Sequence, residues 1–122
     1  MSTTDDTETI IEQGNIRLKK FIERFITFPK ILIAFINGPA IGVAVTILAL
    51  FDGVYASSSA TFSLPFIRNA LAPEGCSSYV FPNLMGSLHA KEILLFDKKF
   101  TAEEAQQKGL VTQVIQQTNF QH

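Results

Sequence analysis

The stretch Ile31-Leu32-Ile33-Ala34-Phe35-Ile36-Asn37-Gly38-Pro39-Ala40-Ile41-Gly42-Val43 decides how this chain is read. Together with Ala44 to Phe51 it makes twenty-one residues without a charge, long enough to cross a bilayer. Asn37-Gly38-Pro39 near its centre is turn chemistry and argues against a membrane span. The β-branched and aromatic run Ile31 to Ile36 predicts a fully buried strand. Ala40 to Leu50 then predicts a buried helix, with Gly42 permitting close backbone approach. Strand, turn and helix is the expected order, and a span is the weaker reading.

Working outward, the charges collect at the two ends. Residues 1–30 hold five acids and five bases, and residues 91–122 hold four of each. The sixty residues between them carry only Asp52, Arg68 and Glu74. So apolar a block must be mostly buried, and each charge inside it needs a reason. Residues 1–9 are acidic and polar, without an apolar h-region or an arginine. They predict a disordered tail and no secretory or mitochondrial targeting signal. Ile11, Leu18, Phe21, Ile22, Phe25 and Ile26 recur at helical spacing, so Ile10 to Ile26 predicts an amphipathic helix ended by Phe28-Pro29. Its basic residues read most simply as a solvated face.

Beyond the apolar stretch, Asp52-Gly53 turns the chain into a short strand, Val54 to Ala56. A second strand, Ala60 to Ser63, is ended by Pro65. Ala72-Pro73-Glu74-Gly75 predicts a helix start, and Pro82 its end. Ser87 to Phe96 predicts a helix with Leu88, Ile93, Leu94 and Leu95 inward. Thr101-Ala102-Glu103-Glu104 is a capping box for a third helix, stopped by Gly109, and Leu110 to Ile115 predicts a last strand. Alternation of helices and strands makes the class α/β. The expected organisation is a tail over residues 1–9 and one domain over residues 10–120.

Composition narrows the chemistry. With 122 residues, 47% of them apolar and 17% charged, the chain suits one small folded domain. A net charge of -1 leaves no basic field for nucleic acid or an anionic membrane. One cysteine, Cys76, excludes an internal disulfide, and two distant histidines, His89 and His122, make no metal-binding set. Neither histidine is placed to serve a serine nucleophile, and no phosphate-cradling glycine motif is present. Cys76 reads best as a small core residue, although a helix N-terminus would lower its pKa. Glu74 has two readings. It is either an acid favoured by a helix dipole, or a desolvated carboxylate raised above the usual value and fit to act as a base. Removing a proton beside a carbonyl also requires fixed N–H donors for the enolate oxygen, and the Asn37 to Val43 turn offers them. The alternative for its glycines is tight strand-to-helix packing.

Taken together, these segments resemble the enoyl-CoA hydratase/isomerase (crotonase) family. The resemblance rests on Phe28 to Gly42, Phe51 to Ser57, Ala60-Thr61-Phe62 and Pro73-Glu74-Gly75-Cys76-Ser77-Ser78. Phe81 to Gly86, Phe100 to Ala105 and Lys108 to Val111 follow in family order. It runs from about Ile10 to Phe120 and is closest to the peroxisomal-type Δ3,Δ2-enoyl-CoA isomerases, marked by the Pro-Glu-Gly-Cys-Ser-Ser run. It implies a partial crotonase-like ββα superhelix. It also implies Glu74 as the catalytic base and Val43, beside Gly42, as an oxyanion-hole amide. Phe62, Leu64 and Phe66 are implied as the acyl pocket, with core packing an equal reading of the three. The hydratases' two glutamates fall on Thr46 and Phe66, neither of which can act as a base, which argues against hydration.

The substrate implied is an acyl-CoA thioester in fatty acid β-oxidation, with no separate cofactor because coenzyme A belongs to the substrate. A homo-oligomer, a trimer in full-length relatives, is implied, as is a peroxisomal or mitochondrial setting, although Asn119-Phe120-Gln121-His122 is no peroxisomal tripeptide. Family members carry a further stretch upstream, with the first oxyanion amide and much of the CoA surface, and further helices downstream. Nothing in residues 1–9 resembles the former. The alternative to an isomerase is therefore a truncated isoform or a non-catalytic crotonase-like module that binds partners.

Overall fold

The computed structural model describes residues 3–73 and 77–120. Helix α1 spans Thr3–Ile26. It begins well before Ile10, so residues 3–9, expected as a disordered tail, are helical. Asp5 and Asp6 lie in the first turn, where carboxylates favour the positive end of the helix dipole.

The apolar stretch divides into four short elements. They are β1 (Ile33–Ile36), β2 (Pro39–Ile41), α2 (Val43–Thr46) and a 3-10 turn over Ile47–Leu50. The helix expected over residues 40–50 is thus a strand, one helical turn and a 3-10 turn. Gly42 sits at φ 69° and ψ -130°, a glycine-favoured conformation that interrupts the chain between β2 and α2. Pairing of β2 with β4 then overrides local helix preference. Among the described residues no helix is long and apolar enough to cross a membrane.

Two sheets follow. β1, β3 (Gly53–Ser57) and β6 (Gln113–Ile115) form a parallel sheet in the order β1-β3-β6. β2, β4 (Thr61–Ser63) and β5 (Phe100–Thr101) form the second, with β2 parallel and β5 antiparallel to β4. The register of the second sheet aligns Ala40, Phe62 and Phe100 in one row, and all three are buried. Phe62 and Phe100 stack with centroids 5.4 Å apart.

β1 departs from the fully buried strand expected of it. Ala34 is buried, whereas Ile33 and Phe35 are 51% and 66% exposed. β1 is an edge strand of its sheet, and period-2 alternation turns Ile33 and Phe35 away from the core.

α3 (Ser77–Met85) and α4 (Ser87–Leu95) cover the core from the far side. Pro82 lies inside α3 instead of ending it. The helix continues because the Gly86 N–H donates to the Pro82 carbonyl at 2.9 Å and Asn83 Nδ2 donates to the Tyr79 carbonyl at 2.8 Å. The stop is Gly86 itself, at φ 86°. On α4 the inward residues are Ala90, Ile93 and Leu94, which share one helical face, while Leu88 is 82% exposed and Leu95 is exposed as well. The capping box is present at the start of α5 (Ala102–Gln107), where Thr101 Oγ1 accepts from the Glu104 N–H at 3.1 Å. Gly109, at φ 86°, follows its last turn. The final strand is shorter than expected, since Leu110 and Val111 are buried in the turn before β6. A short helix, α6 (Gln117–Phe120), ends the described chain.

Candidate active site

The two charges of the apolar block that can be placed have structural duties. Asp52 Oδ2 accepts the Leu32 N–H at 2.8 Å, and the Leu32 carbonyl accepts the N–H groups of Asp52 and Gly53 at 2.8 and 3.3 Å. Arg68 grips Asp97 through Nη2 at 2.7 Å and Nε at 2.8 Å. The third charge, Glu74, lies outside the described residues, as do Cys76 and His122. His89 is exposed on α4, with Nδ1 3.5 Å from Lys108 Nζ.

The turn from Asn37 to Val43 is tied down by backbone bonds. The Gly42 N–H donates to the Ser63 carbonyl at 2.9 Å, which ties the turn to β4. The Gly42 carbonyl accepts from Val45 and Thr46 at 2.9 and 3.2 Å, closing the first turn of α2. Val43 is the first residue of α2, so its N–H has no partner within the helix, and none among the described residues. Val43 and Gly42 are half-buried. A fixed, partly desolvated and unpartnered amide can stabilise a developing oxyanion.

Thr46 is buried, and its hydroxyl donates to the Val43 carbonyl at 3.1 Å. Phe66 is buried too. Neither supplies a carboxylate to this turn. Phe62, Leu64 and Phe66 belong to the hydrophobic core. They line neither the cavity at the end of α1 nor the one beside the 3-10 turn.

One of those cavities, about 500 Å³, lies at the end of α1 between Phe21, Arg24, Phe25, Thr27, Phe28, Pro29 and Leu32. Sequence reasoning took these residues as a helix and its stop. The signal for a groove was the spacing of Phe21, Phe25 and Phe28, which puts three rings on one side of the helix end. The second cavity, about 190 Å³, lies between the 3-10 turn, Asp52 and Leu110.

The sequence profile of the family described as Enoyl-CoA hydratase/isomerase matches residues 8–122. The chain belongs to that family. Over 120 residues it is 51% identical to Enoyl-CoA delta isomerase 2 of Rattus norvegicus, covering 98% of this chain and 31% of that protein. It is 55% identical over 104 residues to Enoyl-CoA delta isomerase 3, peroxisomal, of Mus musculus, covering 85% and 33%. Among solved structures, an enoyl-CoA hydratase/isomerase from Cupriavidus metallidurans CH34 superposes with a TM-score of 0.81 at 30% identity, over 90% of this chain and 43% of that one. This crotonase-type chain therefore spans about a third of the length of its curated relatives and under half of that solved fold.

Proposed function

We propose that this chain carries the base and one oxyanion donor of a Δ3,Δ2-enoyl-CoA isomerase. The observation that carries the proposal is the unpartnered Val43 amide, which follows Gly42 in a positive-φ conformation that favours glycine. The delta isomerase names of the rat and mouse relatives support the reaction class.

In this reading, the Glu74 carboxylate removes a proton from C2 of a 3-enoyl-CoA. The electron pair forms an enolate whose oxygen accepts from the Val43 N–H. As the carbonyl re-forms, the double bond moves to C2–C3, and the glutamic acid returns the proton at C4. One proton leaves and one returns, so the product is the trans-2-enoyl-CoA with no net redox change. Coenzyme A is part of the substrate and no further group is required. Thr46 and Phe66 provide no second carboxylate to activate water, which favours isomerisation over hydration. A peroxisomal setting in β-oxidation and a homo-oligomeric assembly accompany this reading, the former supported by the mouse relative's name.

The test exchanges this chain for the matched 120 residues of the rat isomerase and follows the conjugated 2-enoyl thioester. Glu74→Gln is expected to abolish turnover while leaving the fold intact. Val43→Pro removes the donor at a helix position that accepts proline, and is expected to lower kcat by about 10²–10³. Full activity in the Glu74→Gln chimera would remove the base from this reading.

A further inference from the structure

The carboxyl ends of β2 and β4 lie side by side, because the two strands run parallel. The turn to Val43 leaves from the first, and the loop that begins at Leu64 leaves from the second. In open α/β sheets ligands sit beyond the carboxyl ends of the strands.

That loop is fastened at its base and at its tip. Phe66 is buried, its N–H donates to the Leu64 carbonyl at 2.9 Å, and its carbonyl accepts the Leu71 N–H at 2.7 Å. The Ala70 N–H donates to the Ile67 carbonyl at 3.1 Å, which completes the pair of bonds that closes a turn through a left-handed residue. Ala70 holds that position at φ 54°, where glycine is the usual occupant. At the tip, Arg68 reaches Asp97 Oδ2 through Nε and Nη2 at 2.8 and 2.7 Å. Asp97 is left-handed as well, at φ 52°, and its Oδ1 is buried without a partner among the described residues. Backbone strain of this kind persists only where its surroundings hold it, and it collects at functional sites. Arg68 is 70% exposed, and an exposed ion pair adds little to stability. Its contribution here is geometric. From Leu71 the chain runs through Ala72 and Pro73 to Glu74, and beyond it Ser77 is fully buried at the start of α3. Fixed points therefore stand on both sides of Glu74.

We propose that Arg68 and Asp97 are positioning residues for the base. Their ion pair holds the turn over residues 66–71, and that turn sets where Glu74 meets a substrate held by the Val43 amide. The inference rests on the isomerase reading above.

The experiment has two arms. In the 122-residue chain, exchange of the Leu71 amide is followed by NMR. Asp97→Gly removes the carboxylate while suiting the positive φ, so it relieves the backbone and breaks the ion pair. It is expected to speed Leu71 exchange about tenfold and leave Val45 unchanged. In the chimera with the rat isomerase, Arg68→Gln and Asp97→Gly should each lower kcat about tenfold at constant KM. The double variant should lose no more than either single one, and Arg68→Lys should recover most of the rate. Unchanged Leu71 exchange overturns the proposal. So do additive losses in the double variant, or full kcat in Arg68→Gln of a chimera that Glu74→Gln inactivates, and the latter leaves the base in place. Full activity in Glu74→Gln overturns the isomerase reading and this role with it, and is told apart because neither Arg68 nor Asp97 is changed.

Discussion

The two sheets treat similar residues in opposite ways. In β2-β4-β5, the row Ala40, Phe62, Phe100 is buried. In β1-β3-β6, the row Phe35, Tyr55, Gln113 faces outward, with Phe35 stacked on Tyr55 at 5.6 Å. Parallel sheets usually have both faces covered. Each sheet buries one row, Ala34 with Val54 in the first and Ala40, Phe62 and Phe100 in the second, but the first turns its aromatic pair outward and the second turns it into the core.

Substitutions can break that contrast or sharpen it. Phe62→Ala opens a cavity in the fully packed sheet and should cost about 3–5 kcal/mol in denaturant unfolding. A cost below 1 kcal/mol would mean that the two sheets are equally loose. Gly42→Ala comes next. No atom lies within 4 Å of the added Cβ, so its expected penalty of about 1–3 kcal/mol comes from the backbone conformation alone. The Val43 amide signal should move with it, and an unchanged signal would detach the donor from the glycine. Phe35→Ser, on the bare face, should alter stability by less than about 1 kcal/mol while raising solubility. A loss as large as that of Phe62→Ala would show this face to be covered.

The smallest effect belongs to the surface. Lys98 Nζ lies 2.6 Å from Glu92 Oε1 and 3.6 Å from Glu104 Oε2. The hydrogen bond and charge of Lys98 hold the Glu92 carboxyl below its ordinary 4.5. A depressed carboxyl contributes stability above its unfolded value and loses it as the pH falls through the folded one. Any difference between the chain and Glu92→Gln at pH 7 should therefore shrink by pH 3, measured as urea midpoints. Both groups are exposed, so the difference is expected to be slight.

Local chemistry was legible where neighbours in sequence do the work. The capping box at Thr101 and Glu104, the glycine stop at Gly109 and the β3 and β4 strands stand close to where composition places them. Tertiary pairing was not legible. β2 exists because Ala40 lies opposite Phe62, and β5 because Phe100 does, and neither partner is near in sequence. Burial on β1 was misjudged for a related reason. A run of Ile, Ala and Phe predicts cover on both faces, and only the fold shows that the face carrying Ile33, Phe35 and Tyr55 is left open among the described residues. In the candidate site, Gly42 and Val43 could be named from the turn and the family resemblance, but the bond to Ser63 that holds them could not.

The clasp between Leu32 and Asp52 has an engineering consequence. It closes a loop across twenty positions of sequence, and the donor turn lies inside that loop. The clasp brings both ends of the stretch within hydrogen-bond reach, but Gly42 is tied to Ser63 and β2 pairs with β4, so a graft must run on from Leu32 through Ser63. The Val43 amide thus travels with a segment of two strand pairs and not with its own loop alone.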